Sequence, residues 1–101
     1  MSEPTQKHTV ESLAAEVTLG TQAENFCKSE AFQRAYTIAR AILYEEWTAA
    51  KTREERELVY AETKGLDRIV AALEAIQLDG QSAQEAIRKL RAKDVAPDAI
   101  G

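Results

Sequence analysis

Four residues near the middle of the chain, Thr52-Arg53-Glu54-Glu55, have the spacing of a helix capping box. In that motif the Thr52 hydroxyl accepts from the backbone N–H of Glu55. The Glu55 carboxylate in turn accepts from the N–H of Thr52. A helical pattern runs up to this point from about Glu30 to Ala50, and another leaves it from Arg53 to about Leu78. A helix that starts one or two residues after another ends turns the chain back on itself. The expected fold is therefore all-α: an antiparallel helical hairpin over about residues 30–50 and 52–78. Shorter flanking helices are expected over about 9–19, 21–28 and 82–93. With 101 residues the chain has room for one modest domain.

Each long segment carries an apolar stripe. The first reads Phe32, Ala35, Tyr36, Ala39, Ile42, Leu43 and Trp47, and the second Leu58, Val59, Leu66, Ile69, Val70, Leu73 and Ile76. Intervals of three and four place each set on one side of a helix. Glu62 interrupts the second stripe. Gly65 falls mid-helix, at a cost of about 0.5–1 kcal/mol relative to Ala. Folding about residue 51 brings it level with Thr37, within a turn of Ala35 and Ala39, so it reads as a packing residue that lets the helices approach.

Gly20 and Asp79-Gly80 read as helix ends. Thr21-Gln22-Ala23-Glu24 and Ser82-Ala83-Gln84-Glu85 read as further capping boxes. Ser29-Glu30 looks like another cap; whether residues 21–50 form one helix or kink at Ser29 stays open. The three boxes stand about 30 residues apart, but no side-chain pattern outside them repeats, so no internal repeat is read. The domain reading is a mobile N-terminal arm over 1–20 with a short helix, a helical domain over 21–93, and a flexible tail over 94–101.

A single pair of helices cannot bury both its sides. Two hairpins packed face to face would make a four-helix bundle, so a homo-oligomer is expected. The net charge is −4 and the pI is near 5.0, which disfavours bulk attraction to nucleic acid or anionic membrane. From Gln81 to Gly101, Arg88, Lys89, Arg91 and Lys93 stand against Glu85, Asp94 and Asp98. That segment is +1 and the remainder −5. No apolar run approaches the roughly 18 residues a membrane span needs. Cys27 is the single cysteine, and no signal peptide is evident, so a cytoplasmic setting is expected.

No catalytic or metal motif stands out. The carboxylates Glu45-Glu46, Glu54-Glu55 and Glu62 lack the Glu-x-x-His partners of a di-iron bundle, since the one histidine is His8. Glu46 and Glu62 read instead as partners of neighbouring Arg or Lys at the stripe edge. Cys27 reads as an inert residue beside Phe26 rather than a nucleophile working with His8. The isolated glycines make no phosphate loop. No enzymatic activity, cofactor, metal or small-molecule substrate is expected.

Partner contacts are more plausible chemistry. Trp47, one turn before a helix end, either packs against Val59 or anchors an interface. Arg53 and Arg56, in the charge run 53–57, are candidates for a salt-bridged contact beside it. Arg88, Lys89 and Arg91 form a basic cluster. It reads first as the cationic last turns of a helix and second as a contact for nucleic acid or an acidic protein.

From Ala23 to Gly80 the chain resembles a loose group of small proteins encoded by tailed bacteriophages and prophages. The resemblance rests on Phe32, Ala35, Trp47, Arg56, Leu66-Asp67-Arg68, Leu73 and Asp79-Gly80. It implies phage origin and a small virion or morphogenesis component in the host cytoplasm or the virion. Three functions follow: a structural or assembly protein working through helix–helix contacts, an acidic inhibitor that blocks a host protein, or a nucleic-acid-associated factor using residues 87–93.

Overall fold

The computed structural model describes the backbone of residues 6–100 and the side chains of residues 9–93. It contains three helices: α1 (Gln6–Lys28), α2 (Glu30–Ala49) and α3 (Arg53–Ile100). There is no strand among the described residues. The capping box forms as its spacing predicts. Glu55 N–H donates to Thr52 Oγ1 at 3.1 Å, and Thr52 N–H donates to Glu55 Oε1 at 3.2 Å. Lys51 N–H also reaches Glu55 Oε1, at 2.7 Å. After this turn α3 runs antiparallel to α2 and then α1: Arg40 meets Asp67, Cys27 meets Gln77 and Gly20 meets Gly80.

The 48 residues of α3 span about 72 Å at 1.5 Å per residue, close to the longest dimension of the molecule, 74 Å. The radius of gyration is 21.3 Å, against about 13 Å for a compact chain of this length. The molecule is therefore a rod. Its seam repeats in steps of three and four, the spacing at which one helix keeps facing another along their length. Val10, Leu13, Val17, Gly20, Ala23 and Cys27 line it on α1. Phe32, Tyr36, Ala39 and Leu43 continue it on α2, and Val59, Thr63, Leu66, Val70, Leu73, Gln77, Gly80, Ala83, Ile87 and Leu90 on α3. All of these are buried or half-buried.

Two glycines set the closest approach. A Cβ added at Gly20 would lie 2.9 Å from the Gly80 Cα and 3.2 Å from the Ile76 carbonyl oxygen. A Cβ at Gly80 would lie 2.9 Å from the Gly20 Cα and 3.1 Å from the Glu16 carbonyl oxygen. The contact is nearly symmetric, so each glycine Cα–H points at a carbonyl of the other helix, a weak but favourable contact. Ala23 and Ala83, three residues on, are buried to 6% and 2% exposure.

Several expectations need correcting. Gly20 and Gly80 do not end helices. The segments expected over 9–19 and 21–28 are one helix, as are those expected over 52–78 and 82–93. The patterns Thr21–Glu24 and Ser82–Glu85 accordingly lie inside helices and cap nothing. Neither glycine has positive φ; each is needed for its missing side chain, not for a turn. Gly65, expected to pack, has nothing within 4 Å of an added Cβ. The break is at Ser29. Its Oγ accepts from Phe32 N–H at 3.1 Å, its backbone is extended (ψ 148°), and the Phe26 and Phe32 rings meet across it at a 52° tilt with centroids 4.9 Å apart. The described α1 runs through residue 20. Residues 1–5 of the expected mobile arm and Gly101 of the expected tail lie outside the described residues.

Replacing either seam glycine should therefore destabilise the chain, although Ala is the better helix former. Overpacking costs about 1–3 kcal/mol against a gain of about 0.5–1 kcal/mol in helix propensity. Gly20→Ala and Gly80→Ala are each expected to lower the melting temperature measured by circular dichroism. An unchanged or higher melting temperature for both would contradict the close contact.

Candidate protein-interaction site

The turn between α2 and α3 positions the most distinctive surface of the rod. Beside it lies an open groove of about 250 Å³, lined by Arg40, Leu43, Tyr44, Trp47, Val59, Tyr60 and Thr63. Leu43 and Val59 belong to the seam. Tyr44 and Tyr60 each follow a seam residue by one, and antiparallel helices turn that offset to the same side of the pair. Tyr44 is 70% exposed, Tyr60 58% and Trp47 46%. Cations border the rings. Lys64 Nζ is 5.7 Å from the Tyr60 ring centroid, and the Arg40 guanidinium is 5.9 Å from that of Tyr36. Arg40 also bridges to Asp67 at 3.3 Å, which ties α2 to α3 and fixes its place at the groove's edge. That pair is half exposed, so it is worth about 0–1 kcal/mol; its effect is positional.

The two expected arginines at this end serve the turn. Arg56 Nη1 donates to the Ala50 carbonyl at 3.4 Å, covering the end of α2. Arg53 Nε pairs with Glu57 at 3.2 Å on the outside of α3. The backbone N–H groups of Lys51 and Thr52 hold the Glu55 carboxyl below its ordinary value of 4.5.

Arg88, Lys89 and Arg91 lie far from this groove. Arg56 and Arg88 are separated by 32 residues of one helix, or about 48 Å, so the expected partner-binding residues occupy two places. The last-turn explanation of the basic cluster is corrected too: α3 continues to Ile100, and its last turn has no basic residue. The charge of Arg88 is engaged by Glu85 through Nε at 3.2 Å and a second, shorter bond from Nη2. This bidentate pair raises the Arg88 pKa and lowers that of Glu85. Lys89 and Arg91 are exposed.

The other candidates resolve simply. Glu46 and Glu62 are exposed, and neither makes the expected ion pair among the described residues. Cys27 is half-buried and its sulfur accepts from Gln77 Nε2 at 3.4 Å. Among the described residues no three or more His, Cys, Asp or Glu are grouped to hold a metal. No described helix is long and apolar enough to cross a membrane. Comparison with protein-family models, curated proteins and solved structures finds no match to this chain.

Glu55 links the turn to pH. Its folded pKa lies below 4.5 because its ionised form accepts the two N–H bonds. The stability it supplies is full above the unfolded value and is lost as pH falls through the folded one. Chemical denaturation from pH 7 to pH 3 should show a loss below about 4.5 that shrinks in Glu55→Gln. At neutral pH Thr52→Ala should cost about 0.5–2 kcal/mol. A Glu55→Gln profile that parallels the parent would remove this role.

Proposed function

We propose that this chain is a non-enzymatic structural or assembly protein, a phage-type virion or morphogenesis component that acts through helix–helix contacts and self-association. The hairpin is the working unit. The supporting observation is the near-absence of an interior. Only Ala23, Val59 and Ala83 are buried apolar residues, and no large side chain is fully buried among the described residues. Ile38, Ile42, Leu58, Ile69 and Leu78 meanwhile stand exposed. A 101-residue chain gains its few kcal/mol of net stability mainly by removing apolar surface from water. This chain removes little by itself, and a second helical surface would supply the rest.

A second reading is favoured by the groove at the turn: an acidic inhibitor that binds a host protein. Trp, Tyr and Arg are the residues that most often dominate binding energy, and Trp47, Tyr44, Tyr60 and Arg40 stand together there. The nucleic-acid reading keeps Lys89 and Arg91, with Arg88 already paired.

Light scattering after size-exclusion chromatography separates these readings. A defined homo-oligomer whose melting temperature rises with protein concentration supports the first. A monodisperse monomer at high concentration would contradict it. A one-to-one complex with a host protein, weakened at least tenfold by Trp47→Ala, would favour the second.

A further inference from the structure

We infer that one face of the rod, carrying Ile38 and Ile42 of α2 with Leu58, Gly65, Ile69 and Ile76 of α3, is where a second copy of this chain packs, head to tail. The inference rests on the self-association proposed above and specifies its surface and direction. Each of these residues precedes a seam residue by one: Ala39, Leu43, Val59, Leu66, Val70 and Gln77. One residue is a 100° rotation about a helix axis. On antiparallel helices the rotation has opposite sense for a single viewer, so both sets turn to the same side of the pair. The Tyr44–Tyr60 groove, displaced the other way, lies on the opposite side.

The exposures mark this side as uncovered: Leu58 69%, Ile69 60%, Ile38 53%, Ile42 49% and Ile76 38%. The register set by Arg40 and Asp67 places Ile38 level with Ile69 and Ile42 level with Gly65. Gly65 has open space where a Cβ would be. It makes a depression beside two isoleucine ridges, on a face that offers both parts to its own image. A two-fold interface requires such self-complementarity.

The rod as a whole leaves more surface open than a compact chain of its mass. The chain exposes 8090 Å², whereas a globular monomer of 11.2 kDa exposes about 5,700 Å². The excess is about 2,400 Å², and a standard interface needs about 800 Å² per partner. Charge sets the direction. Glu45, three residues beyond Ile42, and Glu62, one residue before Thr63 of the seam, occupy the same face nearer the turn. A parallel pair would bring four carboxylates to one level. A head-to-tail pair, its two-fold axis perpendicular to the rod, keeps the two sets apart.

The test uses the full chain. Ile38→Glu and Ile69→Glu are each expected to weaken dimerisation, measured by sedimentation equilibrium, by about thirtyfold or more. Tyr60→Glu, on the opposite face, should leave it within about threefold. Gly65→Gln guards against loss of folding: the isolated chain has room for the side chain and the helix prefers it, so helicity should hold while association falls at least tenfold. Spin labels on Glu54→Cys in a Cys27→Ser background should lie about 40 Å apart, since each is about 13 residues from the two-fold axis. Dimerisation unchanged in Ile38→Glu, Ile69→Glu and Gly65→Gln overturns this face while leaving self-association standing. A wild-type monomer overturns both, and Glu54 labels within about 20 Å overturn the head-to-tail direction.

Discussion

Backbone contact at Gly20 and Gly80 governs the shape of this molecule. Interaxial distance between packed helices follows the side chains placed between them. Where that content is two glycines and two alanines, the backbones of α1 and α3 come into direct contact. Twelve residues beyond Gly20 the seam must hold Phe32, Tyr36 and Leu43, and the helices have to stand further apart. A straight helix cannot meet both requirements against the same partner. The break at Ser29 is the joint between the narrow seam and the wide one. Its hydroxyl caps α2, and the Phe26–Phe32 contact closes the gap across it. α3, which makes no such transition in its own chain, continues unbroken past both.

The same contact explains which parts of the fold were legible in the sequence. The Thr52–Glu55 box was readable because its two hydrogen bonds are local: three residues of spacing specify both partners. Ser29 was readable as a cap for the same reason, although only the structure decides that the helix breaks there. Gly20 and Gly80 were misread because glycine has two unrelated uses in helices. It ends them by adopting left-handed backbone, and it permits close crossing by lacking Cβ. Sequence shows the residue and not the use. The Thr-x-x-Glu and Ser-x-x-Glu patterns after these glycines then completed a false pair of helix starts. Their polar residues face the sides of the crossing instead: Thr21 and Glu24 with Gln81 and Gln84 line one small cleft there. Gly65 was misread in the opposite direction, as a seam residue, because folding about residue 51 gave neither its level, which is that of Ile42 and not Thr37, nor its rotation about the helix axis.

Rotation is also what the apolar stripes concealed. Each was read as one band about 100° or more wide. In the structure each band divides. Phe32, Tyr36, Ala39 and Leu43 face Val59, Leu66, Val70 and Leu73 in the seam, while Ile42, Leu58, Ile69 and Ile76 are left at its edge. A band wider than one partner can cover is the mark of a helix with two partners. Glu62 fits the same division: it interrupts the outer band at the level of Glu45 and leaves the seam intact. Tyr44 and Tyr60 were missed because neither belongs to a stripe. Their signal is each one's place directly after a seam residue, on two helices whose opposite directions bring them to one side.

The two sides of the rod differ in the chemistry they present. One is aliphatic and glycine-notched around Gly65, with Glu45 and Glu62 toward the turn. Contacts of that kind are made by shape, which suits repeated packing against a copy of the same surface. The other gathers three aromatic rings, Arg40 and Lys64 within about three and a half helical turns of the bend. Large rings with polar tips, bordered by cations, suit a partner that is polar and different from this chain. A rod of two helices has just these two broad sides once its seam is closed. Assigning the aliphatic side to self-contact leaves the aromatic side of each copy open for a different partner. A head-to-tail dimer with its axis near Asp67 would then carry the two grooves on its opposite outer faces, about 20 Å apart along the rod. Two partners held there would face opposite ways across the dimer, in a relation that the two-fold axis fixes.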